Sequence, residues 1–213
     1  MKLTLHSAWR ASAPYRVRIG LNLKGLAYDI VPVNLVTSQH HDAAYAALNP
    51  QRLLPTLEVD GRILTQSLAI LEWLDETTPE PRLLPADPFA RATVRAMAEI
   101  VACDIHPVNN LRILRALSGL GAEEPARNAW IQRWITEGFT ALEPLIARHG
   151  GGFAFGETPG LADCCLIPQV YNAERFKADL TPFPAIRAVA ARAAQHPAFV
   201  AAHPDNQPDA IHA

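Results

Sequence analysis

The sequence predicts a chain in two parts, a small mixed α/β domain followed by an all-helical domain. Short β-prone runs alternate with helical patterns up to about residue 76. A cluster of prolines between positions 79 and 88 then interrupts the chain, and beyond it apolar residues recur almost only at helical spacing. We therefore expect a first domain over residues 1–80, a proline-rich linker over 81–87 and a helical domain over 88–213.

The first domain is expected to hold a mixed four-stranded sheet with helices packed on it. The β-prone runs lie at residues 2–7, 28–33, 56–59 and 62–64. Helical patterns separate and follow them at residues 17–24, 42–48 and 66–76. Asp60-Gly61 between the last two runs is a strong hairpin signal, and the order of the other elements is typical of a small sheet covered by helices.

The second domain is expected to contain helices over residues 89–117, 124–148, 161–176 and 185–195. Pro107 lies inside the first of these, where its ring opposes the carbonyl of Cys103 and one hydrogen bond is lost. We therefore predict a kink at that point. On one helical face near the kink we expect four residues, namely His106, Asn109, Asn110 and Ile113.

Composition excludes several functional classes. Apolar residues make up 49% of the chain, enough for a sizeable core, and the net charge of −2 gives no reason to expect a nucleic-acid partner. No apolar run approaches the roughly 18–20 residues that span a bilayer, and a signal-peptide pattern is missing, so we expect a cytoplasmic protein without a membrane partner. We predict no metal site and no disulfide framework, and we expect all three cysteines to be buried: Cys103, Cys164 and Cys165.

Two local patterns in the first domain indicate a binding surface for an extended, anionic, peptide-like ligand. Pro55 enters a strand, where a cis peptide bond can expose the backbone groups of Leu54. Gln66-Ser67 opens a helix, and the unpaired N–H groups there, with the serine hydroxyl, favour a carboxylate. Taken alone, Ser67 is more often a plain helix cap.

These features together resemble a cytosolic glutathione transferase, and the resemblance covers nearly the whole chain. It implies a thioredoxin-like α/β domain followed by an all-helical domain. Members of this family carry a capping box at one helix start of the second domain. Here Gly160 replaces the hydroxyl residue while Asp163 is kept, so half of the reciprocal bonding is missing.

Residues 9–21, WRASAPYRVRIGL, and 24–28, KGLAY, resemble the zeta class of that family, which includes maleylacetoacetate and maleylpyruvate isomerases. The class motif has two serines and a cysteine after its arginine. Arg10 and Ser12 match it, whereas Ala11 and Ala13 stand in place of the first serine and the cysteine. In the second domain, residues 103–112, CDIHPVNNLR, and the stretch from 167 to 176 also resemble the class.

The resemblance implies a homodimeric, glutathione-dependent cis–trans isomerase of a maleyl keto acid, acting by reversible thiolate addition in aromatic catabolism. Its implied catalytic residues are Ser12, Arg10 and Arg175. The substrate, a dicarboxylic keto acid, would be bound by Arg10, Arg112, Arg175 and Asn109. Glutathione would be bound by His40, Leu54, Pro55, Gln66, Ser67, Asp104, His106 and Asn110, with His41 as the alternative to His40.

Each assignment has a structural alternative. Ser12 is also suited to be the N-cap of a helix opening near Pro14, and the arginines to be members of surface ion pairs. The polar face around Asn109 is also compatible with plain helix packing. Arg16 and Arg18 are interpreted as structural or solvated.

Two other functions remain open at this point. One is a transferase that conjugates or dehalogenates small anionic electrophiles. The other is a non-catalytic binding module, which the missing serine and cysteine of the motif favour.

Overall fold

A four-stranded mixed sheet organises the first part of the chain in the computed structural model, which describes residues 1–211. In it, β1 pairs in parallel with β2 and antiparallel with β3, and β3 pairs antiparallel with β4, giving the order β2-β1-β3-β4. The strands agree with the predicted ones to within one residue at each end. They are β1 (Leu3–Ser7), β2 (Asp29–Pro32), β3 (Thr56–Val59) and β4 (Arg62–Thr65).

The helices of this part are α1 (Ser12–Leu23), α2 (Ala43–Leu48) and α3 (Ser67–Thr77). A short 3₁₀ turn, Gln39–His41, precedes α2. Helix α1 begins five residues before its predicted start at residue 17, because a proline is tolerated in a first helical turn. Gly20 of α1 lies directly against the Leu71 side chain of α3, so the two helices approach closely where α1 has no side chain.

The all-helical part contains α4 (Pro88–Glu99), α5 (Leu111–Gly119), α6 (Glu124–His149), α7 (Leu161–Arg175) and α8 (Pro184–Ala193). The prediction of one kinked helix over 89–117 is wrong. A π-helical turn, Ile100–Ile105, and a 3₁₀ turn, Pro107–Asn109, separate α4 from α5. The helix is interrupted there because Pro107 has no N–H to donate and Asn110 adopts an extended conformation before α5.

The C-terminal residues return to the first part. One compact unit comprises residues 1–84 together with the residues from Gln195 onward, and the other comprises 85–194. The expected helical domain over 88–213 includes this last segment, whereas the contacts group it with the first unit. Its helix α9 (Pro197–Ala202), which the sequence did not predict, buries Phe199 and Ala202 and packs on α1.

Two expectations about single residues are also corrected. Cys103 is exposed, since it lies in the π-helical turn, whereas Cys164 and Cys165 are buried in α7; the three form no disulfide. Five histidines, His6, His149, His196, His203 and His212, belong to no sequence pattern, which predicts that they are exposed; the His6 ring is instead buried, edge-on to the Tyr45 ring. The other three described histidines are half-buried, and His212 lies outside the described residues. No helix within residues 1–211 has the length and apolar character needed to cross a membrane.

A buried ion pair holds the end of the first 84 residues against α1 and α3. The Lys24 ammonium lies 2.7 Å from Asp75 Oδ1 and donates a second hydrogen bond of 2.6 Å to the Pro81 carbonyl. Asp75 also accepts hydrogen bonds from the N–H groups of Leu83 and Leu84. The Lys24 side chain is 0% exposed, so removing either charge leaves the other buried without its partner.

The Asp163 carboxylate joins the start of α7 to the preceding loop. It accepts hydrogen bonds from Gly160 N–H at 2.9 Å and from Ala154 N–H at 2.7 Å. Because Gly160 has no side chain, only this half of the capping box forms, as the sequence predicted. Complete burial raises the pKa of Asp163 from 3.8 to about 6, although the backbone hydrogen bonds oppose that rise.

We predict that Lys24→Met lowers the free energy of unfolding by about 3–5 kcal/mol, because it leaves the Asp75 carboxylate buried without its charge partner. Urea denaturation measures this loss. The matched control is Arg133→Met, which breaks an exposed pair with Glu137 and should cost about 0.2–1 kcal/mol. Equal losses in the two variants would contradict the structural role of the buried pair.

We predict that Asp163 makes the folded state less stable as pH rises. Its folded pKa lies above the unfolded value, so its stabilising contribution is complete below pH 3.8 and is lost as pH rises through about 6. Between pH 5 and 7.5 the difference in unfolding free energy between wild type and Asp163→Asn should shrink by roughly 1–2 kcal/mol. A difference that stays constant across this range would show that burial does not perturb the carboxyl.

Candidate active site

The register of the sheet brings four loops to one end of it. His6 pairs with Thr56, and Thr56 pairs with Thr65, so β1 ends where β3 begins and β4 ends. Ser7 of β1 pairs in parallel with Pro32, so β2 ends there as well. The loops at this edge carry the predicted residues of the first unit, which are Arg10, Ser12, His40, Leu54, Pro55, Gln66 and Ser67.

The turn from β1 into α1 presents a positive charge and an uncapped helix start. Arg10 is exposed, and its guanidinium carbon lies 5.2 Å from the centre of the Trp9 ring, a distance that allows a cation–π contact. The N-cap residue is Ala11, which offers no side-chain acceptor, and Ser12 is the first helical residue. The alternative of Ser12 as N-cap is therefore wrong. The helix start keeps unpaired N–H groups and a partial positive charge.

Helix α3 begins beside α1 at the same edge. Arg16, one turn after Ser12, donates a hydrogen bond of 3.3 Å from its Nη1 to Ser67 Oγ. Ser67 is the first residue of α3 and forms no side-chain cap, so the alternative of a plain cap is wrong too. Gln66 before it has φ of 69° and ψ of 118°, a conformation that costs a non-glycine residue about 1–3 kcal/mol and that clusters at ligand sites.

The turn before β3 offers backbone groups. The Leu54–Pro55 peptide bond is cis, as the sequence allowed. Leu54 forms no hydrogen bond with any other residue of the 1–211 stretch. Its neighbour Leu53 is held, because its carbonyl accepts from the Tyr45 hydroxyl at 2.7 Å and from Asn49 Nδ2 at 2.8 Å. A fixed turn therefore presents an available N–H and C=O to an extended ligand.

Of the two adjacent histidines, His40 is buried and His41 is exposed, and their ring centres are 4.1 Å apart. Gln66 Nε2 donates to Gln51 Oε1 at 2.7 Å, which ties the start of α3 to the loop that leads to Pro55. The donor set at this edge consists of two helix starts, a serine hydroxyl and a peptide group. Such a set suits an anionic peptide such as glutathione, which carries carboxylates, peptide groups and a thiol.

The predicted residues of the second unit other than Arg175 lie at the break between α4 and α5. The proposed single polar helix face is wrong, because Asn110 is not helical: it is the N-cap of α5, and its Oδ1 accepts from Arg112 N–H at 3.1 Å. Asn109 differs, since its amide nitrogen and oxygen are both buried without a hydrogen-bond partner in the described part of the chain. An amide in this state is suited to a ligand. Asp104 is exposed and His106 half-buried.

One turn of α6 holds this break and the end of α7. Trp130 Nε1 donates a hydrogen bond of 3.0 Å to the Val108 carbonyl, and Gln132 Nε2 donates one of 2.8 Å to the Phe176 carbonyl. Further along α6, Gly138 gives room to the Ile105 side chain. Arg175, the last residue of α7, is exposed, and its guanidinium lies 5.2 Å from the centre of the Phe176 ring. Helix α6 therefore holds the backbone next to Asn109 and next to Arg175.

The arginines divide into exposed and buried ones. Among residues 1–211, neither Arg10 nor Arg112 is in an ion pair, so for these two the alternative of a surface ion pair is wrong. Arg16 and Arg18 are 2% and 0% exposed, so they are structural and not solvated. The contact of Arg16 with Ser67 was not predicted, although the spacing of four residues places Arg16 on the same helix face as Ser12.

Family models for the N-terminal and C-terminal domains of glutathione S-transferase match residues 12–77 and 128–199. The chain is 50% identical to a maleylpyruvate isomerase of Ralstonia sp over 97% of this chain and 99% of that one. It is 49% identical to a maleylacetoacetate isomerase of Pseudomonas aeruginosa, over 97% and 98% of the two chains.

Solved structures give the same result. A holo maleylpyruvate isomerase, described as a bacterial zeta-class glutathione S-transferase, is 50% identical and has a TM-score of 0.96 over 98% of this chain and 100% of that one. A maleylacetoacetate isomerase of Anaeromyxobacter dehalogenans with glutathione in its active site is 46% identical, with a TM-score of 0.89 over 99% and 98%.

We predict that Trp130→Phe loosens the break between α4 and α5. The variant loses the hydrogen bond to Val108, so its unfolding free energy should fall by about 1 kcal/mol more than that of Trp134→Phe. Trp134 is a matched control because the same atoms are removed and its indole nitrogen has no hydrogen-bond partner in the described chain. Hydrogen exchange of the amides at 108–110 should accelerate in the first variant only; equal exchange in both would refute the role of this bond.

Proposed function

Because the chain belongs to the zeta class of the glutathione S-transferase family, we propose that it is a glutathione-dependent cis–trans isomerase of a maleyl keto acid in the breakdown of aromatic compounds. The observation that carries the proposal is an unpaired Arg10 directly before the uncapped start of α1, in a chain 50% identical over nearly its full length to a maleylpyruvate isomerase. Relatives named for maleylpyruvate and for maleylacetoacetate are almost equally similar, so either acid is a candidate substrate.

Cis–trans isomerisation requires that the carbon–carbon double bond of the substrate become temporarily single, because a double bond does not rotate. Bound glutathione supplies a thiolate that adds reversibly to the alkene conjugated with the keto group, so that rotation can occur. The task of the protein is to keep the thiol ionised. We infer that the free N–H groups at the start of α1 do this, with the Ser12 hydroxyl as a further donor. Ala11 has no hydroxyl to offer, so the helix start has the larger share.

Recognition of the tripeptide is assigned to the other loops of the same edge. The start of α3, with Gln66 and Ser67, would receive the γ-glutamyl carboxylate. The N–H and C=O of Leu54 before Pro55 would pair with the peptide backbone of the ligand. His40 or His41 would meet the glycyl end, and we assign further contacts to Asp104, His106 and Asn110.

The substrate carries two carboxylates and a keto oxygen on which negative charge develops during the reaction. Arginine suits both, because its planar guanidinium pairs bidentately with carboxylate and stays charged. We assign these contacts to Arg10, Arg112 and Arg175, with the Asn109 amide as a neutral donor. Aromatic rings beside Arg10 and Arg175 orient the guanidinium groups without neutralising them.

We further propose a cytoplasmic homodimer, which is implied by the family resemblance. The chemistry is tested by incubating the protein with glutathione and maleylpyruvate or maleylacetoacetate. Formation of the fumaryl isomer with glutathione undiminished is the expected result. Stoichiometric consumption of glutathione would instead favour a conjugating transferase. Retention on immobilised glutathione without turnover of either acid would favour a binding module.

We predict that Arg10→Met lowers kcat/KM for the maleyl keto acid roughly 10- to 100-fold, because a charge-assisted pair with a carboxylate is lost. Affinity for glutathione should change little. Arg133→Met is the matched control, since Arg133 is also exposed and its guanidinium lies 5.4 Å from the Trp134 ring centre. Unchanged turnover in the first variant, or an equal loss in the second, would argue against a substrate role for Arg10.

A further inference from the structure

The C-terminal segment from residue 195 to 211 is bound along the length of α1. Asn22, near the end of α1, donates a hydrogen bond of 2.9 Å from its Nδ2 to the Ala198 carbonyl. The His203 ring lies edge-on to the Tyr15 ring, with 6.2 Å between centres. Further contacts reach past the start of α1 into the turn that carries Arg10.

Arg18 links three parts of the first unit through one buried guanidinium. Its Nη1 donates to Ser7 Oγ at 3.0 Å, at the end of β1, and its Nη2 donates to the Trp9 carbonyl at 2.7 Å. Its Nε donates to the Ala202 carbonyl at 3.0 Å, at the end of α9. The guanidinium is planar and its donors point in fixed directions, so these three acceptors cannot move independently of one another.

Asp209 binds the peptide unit on the other side of Trp9. Its Oδ2 accepts a hydrogen bond of 2.9 Å from the Trp9 N–H. Both backbone polar groups of Trp9, the residue directly before Arg10, are therefore bound to charged side chains. Such charge-assisted bonds are the strong ones among protein hydrogen bonds. We call Arg18 and Asp209 the Trp9 clamp.

We propose that the Trp9 clamp makes the C-terminal segment a positioning element of the thiolate site. Its two charged groups fix the peptide planes on either side of Trp9, and these planes set the direction of Arg10 and of the N–H groups at Ser12 and Ala13. The proposal rests on the proposed function, because it names residues that orient the site assigned there. Neither Arg18 nor Asp209 is given contact with glutathione or substrate.

The clamp differs from a merely stabilising attachment. The Asn22 bond already fastens the C-terminal segment to α1, at the end of the helix that lies away from the turn. The clamp adds bonds to the turn itself. Loss of the Asn22 bond should therefore lower stability alone, whereas loss of the Asp209 bond should also change how strongly the site favours a thiolate.

The test compares Asp209→Ala, Asp209→Asn and Asn22→Ala with the wild-type full chain. The main measurement is the pKa of the bound glutathione thiol, followed through the ultraviolet absorbance of the thiolate in the binary complex. Hydrogen exchange at residues 9–13 without glutathione gives a second, ligand-free measurement, and the kcat and KM of isomerisation give a third.

We expect Asp209→Ala to raise the thiol pKa, to speed exchange at residues 9–13 and to lower kcat/KM for glutathione roughly ten- to a hundredfold. Asp209→Asn keeps an oxygen that accepts from Trp9 N–H, so most of the loss should be rescued. Asn22→Ala should melt at a lower temperature with an unchanged thiol pKa. Asp205→Ala, on the same segment and exposed, should equal wild type in all measurements.

The proposal is overturned if folded Asp209→Ala keeps the wild-type thiol pKa, or if Asn22→Ala raises that pKa equally. Should Asp209→Ala fail to fold, Ser7→Ala removes one acceptor of Arg18 and carries the same test, with a smaller rise expected and no rise refuting the clamp. Absence of isomerisation by wild type would refute the proposed function instead. Hydrogen exchange at residues 9–13 would still test whether the Trp9 clamp holds the turn in place.

Discussion

The candidate site depends on the pairing of Thr56 with two strands at once. Because Thr56 lies between His6 and Thr65, the ends of β1 and β4 and the start of β3 cannot shift relative to one another. A slip of one residue would turn every side chain of a strand to the opposite face and bury the sheet incorrectly. Backbone pairing thus fixes where the loops leave the sheet, and the loop residues then determine what those loops bind.

Two helix starts at this edge are left without the caps that proteins ordinarily supply. Replacing a good N-cap by alanine costs about 0.5–2 kcal/mol, and Ala11 occupies that place at α1. The unusual backbone of Gln66 before α3 adds a similar cost. An anion bound at the two helix starts would satisfy the unpaired N–H groups and offset both. The arrangement exchanges stability of the ligand-free fold for affinity, which is typical of functional sites.

Local signals in the sequence were sufficient for the sheet, because alternation, the Asp60-Gly61 turn and Pro55 act over a few residues. They failed where distant contacts decide. Arg16 and Arg18 resemble a solvated helix face in sequence, but they are buried, and their partners include Ser67 and Ala202, which are far along the chain. The break before α5 depends in part on Trp130, and the return of residues 195–211 on Asp209, neither of which has a local pattern.

The candidate site residues differ in the same respect. Ser12, Leu54 and Ser67 stand at element boundaries that a single sequence reveals, and family resemblance added Arg10 and Arg175. Residues proposed to position the site, such as Arg18, cannot be recognised from the sequence, because nothing in a single sequence distinguishes a buried arginine from an exposed one.

The stacking of Arg10 on Trp9 has an optical consequence. An indole is a fluorophore whose emission responds to the electric field around it, and here a full positive charge lies 5.2 Å from the ring centre. An anion that pairs with Arg10 changes that field. Binding of an anion to Arg10 therefore changes the fluorescence of Trp9. The chain thus carries its own spectroscopic reporter in the turn that leads into the proposed thiolate site.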